Sequence, residues 1–313
     1  MVALNKLSDD VLVLFVLDAK ERLVGTLTDG DIRRKLIEGV SITEKVSAVM
    51  NTHFHFVRKD ELRVETIKQI KALGINLLPV LKEDDTVMEV YDLQKKKSIL
   101  PLDAILMAGG RGERLRPLTE TIPKPLLKVG TKAIIDYNVD NLISYGVNYI
   151  NVTTNYLGEQ IERHFETIYD GVKVACVREP QYLGTIGSIK YIKSFHNDTI
   201  LLMNSDLFTN INFEEFFVHF QQNKADMSVA AIPYSVSIPY GILELEDRQV
   251  KDIHEKPTYN YYANSGIYLI KKELLELVPD GIFYNATDFM QKLIKEGYNV
   301  VRFPLVGYWI DIG

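Results

Sequence analysis

The residues with the clearest chemical potential form a glycine- and proline-rich loop over residues 108–130, which reads AGGRGERLRPLTETIPKPLLKVG. Its first three glycines let backbone N–H groups approach an anion closely, and they are Gly109, Gly110 and Gly112. Arg114 and Lys124 follow at a fixed distance from these glycines. Prolines on both sides of Lys124 restrict the backbone, so we expect this lysine on a stiff extended segment. The loop predicts an anion-binding site, and the alternative is a basic surface loop.

The charge distribution supports a small anionic ligand at this loop. The 313-residue chain has a formal net charge of −6, which argues against a nucleic-acid surface. Residues 111–132 nevertheless hold six basic side chains against two acidic ones. Leu115 stands where a dinucleotide-binding fingerprint needs its third glycine, and the Gly-Lys-Ser/Thr of a P-loop is missing. A nicotinamide-dependent dehydrogenase is therefore disfavoured.

Acidic residues with candidate roles lie further along the chain. Asp206 directly follows the apolar run TILLMNS, so it is predicted at the C-terminal end of a strand, where α/β sheets bind ligands. Asp311 belongs to the motif GYWIDIG, and Glu255 and Lys256 precede a proline. The simpler interpretations are a turn residue for Asp206, a solvated residue for Asp311, and an exposed ion pair for Glu255 and Lys256.

These motifs closely resemble the signature of sugar-1-phosphate nucleotidylyltransferases: Gly-Gly-x-Gly-x-Arg-Leu, then Pro-Leu-Thr, then Pro-Lys-Pro. The resemblance covers residues 101–313 and points to a mannose-1-phosphate guanylyltransferase-like branch that is fused to cystathionine-β-synthase-type (CBS) domains. It implies that a nucleoside triphosphate and a sugar 1-phosphate are joined into a nucleotide-sugar with release of pyrophosphate, for surface-glycan biosynthesis. Glu113 departs from the Thr or Ser of many members, although subgroups with Glu are familiar.

The resemblance also implies roles for the residues of the loop and for the two aspartates. Arg114 would act on the triphosphate, and Lys124 would lie near the reacting phosphates. Asp206 and Asp311 would be ligands of a divalent cation, and carboxylates suit Mg²⁺. Because the sugar phosphate must attack the α-phosphorus in line, we expect the protein to position the two anions and neutralise their charge.

A further group of residues is expected to bind the sugar phosphate. By resemblance, Glu255 accepts hydrogen bonds from sugar hydroxyls, and Lys256 neutralises the sugar phosphate as a third catalytic residue. Gly241 matches a glycine that lets the sugar approach the backbone. Asn264 and Gly266 match a strand that flanks the sugar pocket.

Residues 178–188, REPQYLGTIGS, match the loop that holds the base in the resembled family. Glu179 stands where uridine- and thymidine-using relatives often carry Gln. Guanine offers adjacent N–H donors and an ionised carboxylate only accepts hydrogen bonds, so Glu179 favours GTP. Gly184 is expected to bring backbone groups beside the base. The alternatives are that Glu179 caps the turn at 182–184, and that the enzyme uses UTP or dTTP.

From residue 101 onwards, strand patterns alternate with helical patterns, which predicts an α/β fold with a mostly parallel, doubly wound, Rossmann-like sheet. The expected strands are 103–107, 149–153, 173–178, 199–203, 227–232, 266–270 and 299–304. The expected helices are 134–145, 159–169, 188–194, 213–222, 271–278 and 287–296.

Residues 1–98 contain two similar α+β units, the first opening with an apolar run at 11–17, and a basic linker and Pro101 separate them from the domain 101–313. This tandem resembles a CBS domain pair, a regulatory module that commonly binds adenosine nucleotides. Its ligand motif would be Gly25, Thr28 and Asp31, and a plain helix N-cap is the equal alternative. We expect the first unit to be incomplete at its N-terminus and a C-terminal tail to be absent.

Composition bounds the remaining possibilities. Hydrophobic residues make up 46% and charged residues 25% of the chain, as in ordinary folded proteins. The single cysteine, Cys176, excludes an internal disulfide framework and is expected to be buried and inert. No run reaches the ~18 apolar residues of a membrane span. We expect a cytoplasmic, homo-oligomeric enzyme without membrane or nucleic-acid partners, and the alternative is a catalytically silent nucleotide sensor.

Overall fold

The computed structural model describes residues 13–169 and 171–312 of the chain. Two compact units divide the chain, residues 1–99 and residues 100–313. Residues 11 and 12, where the first apolar run begins, lie outside the described residues.

The first unit contains a two-stranded sheet and a three-stranded sheet. Its elements are β1 (Leu14–Leu17), β2 (Leu23–Leu27), α1 (Asp29–Ile37), β3 (Val57–Arg58), α2 (Val64–Ala72), β4 (Leu77–Leu81) and β5 (Val87–Asp92). β1 pairs antiparallel with β2, whereas β4 pairs in parallel with β3 and antiparallel with β5. A bridge between Arg22 and Thr86 joins the two sheets.

Helix α1 begins with a capping box built from two of the residues singled out in the sequence. Thr28 Oγ1 accepts a hydrogen bond from Asp31 N at 3.1 Å, and the Asp31 carboxylate accepts one from Thr28 N at 2.8 Å. Asp31 also pairs with Arg34 at 2.6 Å. These contacts satisfy backbone donors of the first helical turn, so both side chains form the helix N-cap.

The second unit is an α/β domain built from thirteen strands and four helices among its described residues. These elements are β6 (Leu102–Ala108), β7 (Lys128–Val129), β8 (Lys132–Ala133), α3 (Ile134–Ser144), β9 (Tyr149–Thr154), α4 (Gly158–His164), β10 (Val174–Arg178), β11 (Thr199–Asn204), β12 (Leu207–Thr209), α5 (Phe213–Gln222), β13 (Met227–Ser237), β14 (Ile242–Glu246), β15 (Gln249–His254), β16 (Thr258–Lys271), α6 (Ala286–Lys295), β17 (Val300–Pro304) and β18 (Trp309–Asp311).

A seven-stranded sheet of order β10-β9-β6-β11-β16-β13-β17 forms the centre of this unit. All neighbouring strands are parallel except that β16 runs antiparallel to both β11 and β13. The mostly parallel α/β sheet expected from the sequence is therefore confirmed. The three short ribbons β7–β8, β12–β18 and β14–β15 lie outside this sheet.

The central strands are buried on both faces of the sheet. Ile105 of β6 and Leu202 of β11 belong to an apolar cluster that also contains Phe289 of α6. Their chain neighbours Leu106 and Leu201 point to the opposite face, because side chains alternate along a strand, and they are fully buried as well. Both faces are thus covered, as a parallel sheet requires.

Two of the expected helices differ in length or type. Helix α4 ends at His164 rather than at residue 169, because Tyr169 forms a bridge with Val172 instead of a further helical turn. The expected helix 188–194 is a 3-10 turn over Gly187–Tyr191. Gly187 N, at the start of this turn, donates to Tyr284 O. This hydrogen bond ties the turn to a loop that is distant in the sequence.

The expected helix 271–278 is a 3-10 turn over Lys272–Leu277. No side chain caps its N-terminus at Lys271, and six residues are too few for a stable α-helix without such support. Lys272 N instead donates to Asp198 O at 2.8 Å, which holds the turn against the start of β11.

Two expectations from composition can be compared with the described residues. None of their helices has both the length and the apolar character needed to cross a membrane. Cys176 on β10 is half-buried, rather than fully buried, and its thiol donates to Ile161 O at 3.9 Å. Burial raises the pKa of this thiol to about 11, so it stays protonated and unreactive at neutral pH.

Candidate active site

A cavity of about 390 Å³ opens at the carboxyl ends of β6 and β11. The two strands are parallel neighbours with Met107 opposite Asn204, so the loops that follow them leave the sheet side by side. The nucleotide and metal residues expected from the sequence all line this cavity. They are Gly109, Gly110, Gly112, Arg114, Lys124, Glu179, Gly184, Asp206 and Asp311. The crevice lies where open α/β sheets bind ligands.

Gly112 fixes the shape of the glycine loop. Its φ angle is +60°, a conformation that glycine adopts without steric cost. A side chain at this position would come within 2.9 Å of Thr119 Cγ2 and 3.0 Å of Lys124 Cβ. The Thr119 hydroxyl donates to Gly112 O at 2.8 Å, which ties the glycines to the segment that carries Lys124. At Gly110, by contrast, the space is open, and a ligand has room beside the backbone.

Lys124 is buried, with an exposed fraction of 8%. The prediction that this lysine lies on an extended segment is wrong. Pro123 is extended, but Lys124–Leu126 forms a 3-10 turn, because proline at position 125 suits the first turn of a helix. The turn directs the lysine side chain into the cavity. There Nζ pairs with Asp206 and lies 3.3 Å from Asp311 Oδ1.

Strand pairing outside the main sheet brings the two aspartates together. The antiparallel ribbon β12–β18 places Leu207 opposite Asp311, and Ile312 N donates to Asp206 O at 3.3 Å. Asp311 Oδ2 also lies 3.8 Å from Arg114. Two carboxylates that are far apart in the sequence therefore converge on one buried lysine, and one of them, Asp311, also faces an exposed arginine.

Hydrogen bonds to the neighbouring backbone hold the turn that carries Asp206. Asn138 of α3 is buried, and its amide donates to Ser205 O at 3.1 Å and to Leu207 O at 3.0 Å. The Ser205 hydroxyl donates to Met107 O at 2.7 Å, which attaches the same turn to β6. These contacts fix the backbone on both sides of Asp206, so the position of its carboxylate is built into the scaffold.

Glu179 follows β10 and lies against the first glycine of the loop. Its carboxylate Oε2 accepts a hydrogen bond from Leu183 N at 2.9 Å, which is the turn cap considered in the sequence analysis. A side chain at Gly109 would come within 2.6 Å of the other oxygen, Oε1. Glu179 is only 3% exposed, and this burial raises its pKa to about 7. The turn occupies one carboxylate oxygen, and Oε1 lies at the cavity wall.

The segment after Glu179 is fastened to the start of α6. Gly184 has a φ angle of +77°, and a side chain there would come within 2.6 Å of Tyr284 O. Tyr284 N donates to Leu183 O at 2.9 Å, and Ala286 N donates to the Thr185 hydroxyl at 2.8 Å. Glycine at 184 is therefore required for the close approach of this cavity-lining segment to the backbone at Tyr284.

Two of the residues expected to bind sugar phosphate adjoin the cavity through Asn204. Gly266 has a φ angle of +74°, and a side chain there would come within 2.6 Å of Asn204 Nδ2. Asn264 donates to the Tyr268 hydroxyl at 2.7 Å and accepts from Gly266 N at 3.0 Å. Because Asn204 lines the cavity, this part of β16 lies directly behind the cavity wall.

The other three expected sugar-phosphate residues do not line the cavity. Gly241 and Glu255 do come together, since a side chain at Gly241 would lie 2.9 Å from Glu255 Oε2. Lys256 is exposed and has a φ angle of +47°, an uncommon conformation for a residue with a side chain. These residues flank the ribbon β14–β15, beyond the end of the main sheet.

Sequence reasoning missed several residues of the cavity. Tyr182 lines it, is 47% exposed, and makes an edge-on contact with Phe283 at 5.7 Å. An aromatic residue within three positions of Glu179 was the available signal, because aromatic faces stack on bases. Asn204 and Ser205 also line the cavity, and their signal was the same strand end that pointed to Asp206.

The donor set of the cavity suits the handling of phosphate and a hard cation. Asp206 and Asp311 supply carboxylate oxygens, the ligands that divalent cations such as Mg²⁺ prefer. Lys124 and Arg114 supply positive charge, and the open backbone at Gly110 supplies space for an anion. Glu179 adds a hydrogen-bond acceptor beside an exposed aromatic ring.

Comparison with known proteins agrees with this chemistry. The sequence profile of the nucleotidyl transferase family matches residues 103–313. A mannose-1-phosphate guanyltransferase of Yarrowia lipolytica is 31% identical over 225 residues, which cover 68% of this chain and 61% of the relative. A UTP–glucose-1-phosphate uridylyltransferase of Synechocystis is 26% identical over 233 residues, which cover 68% of this chain and 60% of the relative. The chain thus spans about 60% of the length of these curated relatives.

A solved structure extends the comparison to three dimensions. HddC from Yersinia pseudotuberculosis, complexed with GMP-PN, matches with a TM-score of 0.51 and 25% identity. The match covers 67% of this chain and 93% of that protein.

Proposed function

The chain belongs to the nucleotidyl transferase family, and from this premise we propose that it is a sugar-1-phosphate guanylyltransferase. An oxygen of the sugar phosphate attacks the α-phosphorus of GTP, the bond from that phosphorus to the β-phosphate oxygen breaks, and pyrophosphate leaves. The observation that carries the proposal is the convergence of the glycine loop, Lys124, Asp206 and Asp311 on one cavity beside Glu179.

The proposed mechanism is one of positioning and charge neutralisation. The glycine loop receives the triphosphate, Arg114 binds it from the exposed side, and Lys124 offsets charge at the reacting phosphates. Asp206 and Asp311 would hold Mg²⁺, which supplies neutralisation of the phosphate oxygens when bound. The opposing anions are thereby brought into line, which is most of what a nucleotidyl transfer requires of the protein.

The choice of GTP rests on Glu179. Its Oε2 is used by Leu183 N–H, whereas Oε1 lies at the cavity wall opposite Gly109, where it accepts from a guanine N–H donor. Tyr182 provides an aromatic face for the base. The guanyltransferase relative and the GMP-PN complex of HddC support this choice, whereas the uridylyltransferase relative supports UTP as the second candidate.

The sugar phosphate is proposed to bind between β16 and the ribbon β14–β15. Asn264 and Gly266 lie behind the cavity wall, and Glu255 lies against Gly241, where a Cβ on the glycine would come within 2.9 Å of Glu255 Oε2. Lys256 is exposed and reaches the sugar phosphate when that ligand is present. The activated sugar serves surface-glycan biosynthesis in the cytoplasm, and fractionation of cells tests this location.

Pyrophosphate release tests the activity. We expect release from GTP only when a sugar 1-phosphate is also present, with mannose, glucosamine and heptose 1-phosphates as the panel. UTP, dTTP and ATP serve as competing nucleotides. Asp206→Asn is the matched control because it keeps the shape of the side chain and removes its charge. Faster pyrophosphate release with UTP than with GTP contradicts the guanine assignment. If no combination of nucleotide and sugar 1-phosphate releases pyrophosphate, the alternative of a catalytically silent nucleotide sensor is supported.

For residues 1–98 we propose a CBS-type regulatory pair that binds an adenine nucleotide at Thr28 and Asp31 and alters transferase activity. The fusion of the two units supports coupling, which is reciprocal between the two ligands. The test is calorimetric titration of AMP and ATP into wild type, Asp31→Ala and the control Asp29→Ala, an exposed residue of the same helix. No heat with wild type, or equal heats with all three proteins, contradicts the proposal and leaves a homo-oligomerisation role, which light scattering tests.

A further inference from the structure

The buried lysine of the active site already neutralises the two carboxylates that the proposed metal would need. Lys124 Nζ pairs with Asp206 and lies 3.3 Å from Asp311 Oδ1, while Arg114 lies 3.8 Å from Asp311 Oδ2. The Lys124 side chain is only 10% exposed, and that of Asp206 is 20% exposed. In the nucleotide-free protein, the cluster therefore contains two negative and two positive charges.

We propose that Lys124 competes with the divalent cation for Asp206 and Asp311, so that the metal binds tightly only together with the nucleotide. The inference rests on the proposed function for the identity of the metal ligands. A dication that enters the cluster would meet the ammonium at close range, in a partly buried site where charges interact strongly. The cation must displace Lys124 before it reaches both carboxylates.

A triphosphate removes this obstacle. Its oxygens offer Lys124 and Arg114 new partners in the same cavity, and the carboxylates then become available to the metal. Nucleotide and metal affinities are consequently coupled, and the coupling is reciprocal. The arrangement keeps the carboxylate pair neutralised when the site holds no substrate.

The test measures Mn²⁺ binding to the nucleotide-free protein by electron paramagnetic resonance. We expect Lys124→Met to bind Mn²⁺ at least about tenfold more tightly than wild type, because it removes the competing charge. Lys128→Met is the matched control, since it removes an exposed lysine of the same loop, and we expect its affinity to equal that of wild type. Lys124→Gln gives a second variant, and melting in EDTA establishes that each protein is folded.

The outcomes distinguish failure of the competition by Lys124 from failure of the metal assignment itself. Equal Mn²⁺ affinities in wild type and both Lys124 variants overturn the competition while leaving the metal assignment intact. Lack of Mn²⁺ binding in every variant overturns both. An additional expected result is that Mg²⁺ raises the melting temperature of Lys124→Met and leaves that of wild type nearly unchanged.

A second cleft, of about 510 Å³, lies on strands β9 and β10 and shares none of its lining residues with the active-site cavity. Its lining includes Lys173, Lys193 and His196 but no aspartate or glutamate. Among the described residues, no ion pair engages Lys173 or Lys193. The cleft therefore concentrates positive charge in a chain whose net charge is −6, which favours an anionic ligand.

Aromatic side chains line the same cleft. Tyr149 and His196 stack with ring centroids 3.8 Å apart, and Tyr149 and Tyr191 are 41% and 39% exposed. Aromatic faces beside cations are the features that bind a base and its phosphates. From these independent observations we infer that the cleft binds a nucleotide. Strand β10, which lines this cleft, ends at Arg178, the residue before Glu179.

Binding stoichiometry of GDP, measured by calorimetry, tests the second site. We expect the double variant Lys173→Ala/Lys193→Ala to bind one equivalent fewer than wild type. The control Lys224→Ala/Lys295→Ala, with the same change of charge on exposed residues elsewhere, should match wild type. A stoichiometry that is unchanged in the double variant overturns the inference. If the active site itself does not bind GDP, the difference of one equivalent is still expected.

Discussion

Replacement of Glu179 by glutamine is expected to stabilise the protein above neutral pH. Glu179 is 3% exposed, and burial raises the pKa of its carboxyl from the ordinary value of 4.5 to about 7. Between these two values the folded protein binds a proton that the unfolded chain has released, so wild-type stability falls as pH rises. Glutamine keeps the acceptor for Leu183 N–H and carries no charge.

The size of the effect follows from the shift. One pKa unit corresponds to about 1.4 kcal/mol, so the full cost of ionising buried Glu179 is about 3 kcal/mol. About 2.5 kcal/mol of this ionisation cost appears in the wild-type free energy of unfolding as the pH rises from 5 to 8. The free energy of unfolding of Glu179→Gln, relative to wild type, is therefore expected to be higher at pH 8 than at pH 5 by that amount.

Urea unfolding at the two pH values measures this difference. The single tryptophan, Trp309, reports on the unit that contains Glu179, because its indole donates to Ser265 O at 2.9 Å. Glu166→Gln, an exposed glutamate in the same unit, is the control and should show no such pH dependence. If the free energies of unfolding of Glu179→Gln and wild type differ by the same amount at both pH values, ionisation of buried Glu179 does not destabilise the protein and the prediction is refuted.

Five other outcomes test the assigned roles of the active-site residues. Asp206→Asn should lower kcat by roughly two to three orders of magnitude with the fold intact, as steady-state kinetics and melting will show. GTP affinity should rise with pH and level off above about pH 8, because the ionised carboxylate of Glu179 offers Oε1 to a guanine N–H purely as an acceptor, and calorimetry from pH 6 to 8 measures this rise. In the same assay Glu179→Gln should weaken GTP binding by about 1.5–3 kcal/mol relative to UTP. Asn138→Ala should reduce kcat more than it changes KM for GTP, because it releases the turn that carries Asp206. Gly112→Ala should lower both the melting temperature and kcat, because its side chain would press on Thr119 and Lys124.

The main sheet could be predicted from the sequence because its strands carry continuous apolar runs. Each of the seven expected strands overlaps a strand of the sheet. The long extension of β13 and β16 beyond the sheet was not expected, because the residues there, such as Tyr234 and Tyr261, pair with each other and are exposed. Their pattern lacks the burial that marks a core strand.

Residues that line the cavity could be predicted from the sequence, but their arrangement in space could not. The loop motif and the strand-end position pointed to Lys124 and Asp206, and both line the cavity. That Asp311 joins them depends on the pairing of β12 with β18, a long-range contact that local patterns do not encode. The inward turn of Lys124 was missed because proline was interpreted as excluding every helical conformation, whereas it permits a single 3-10 turn.

The central claim is that an oxygen of the sugar phosphate attacks the α-phosphorus of GTP. The most direct measurement uses a sugar 1-phosphate whose three non-bridging phosphate oxygens carry ¹⁸O, with products analysed by mass spectrometry. If the sugar phosphate attacks in this way, all of the label appears in the nucleotide-sugar and the pyrophosphate is unlabelled. Label in pyrophosphate or in free phosphate, or no GDP-linked product with any sugar 1-phosphate of the panel, would contradict it.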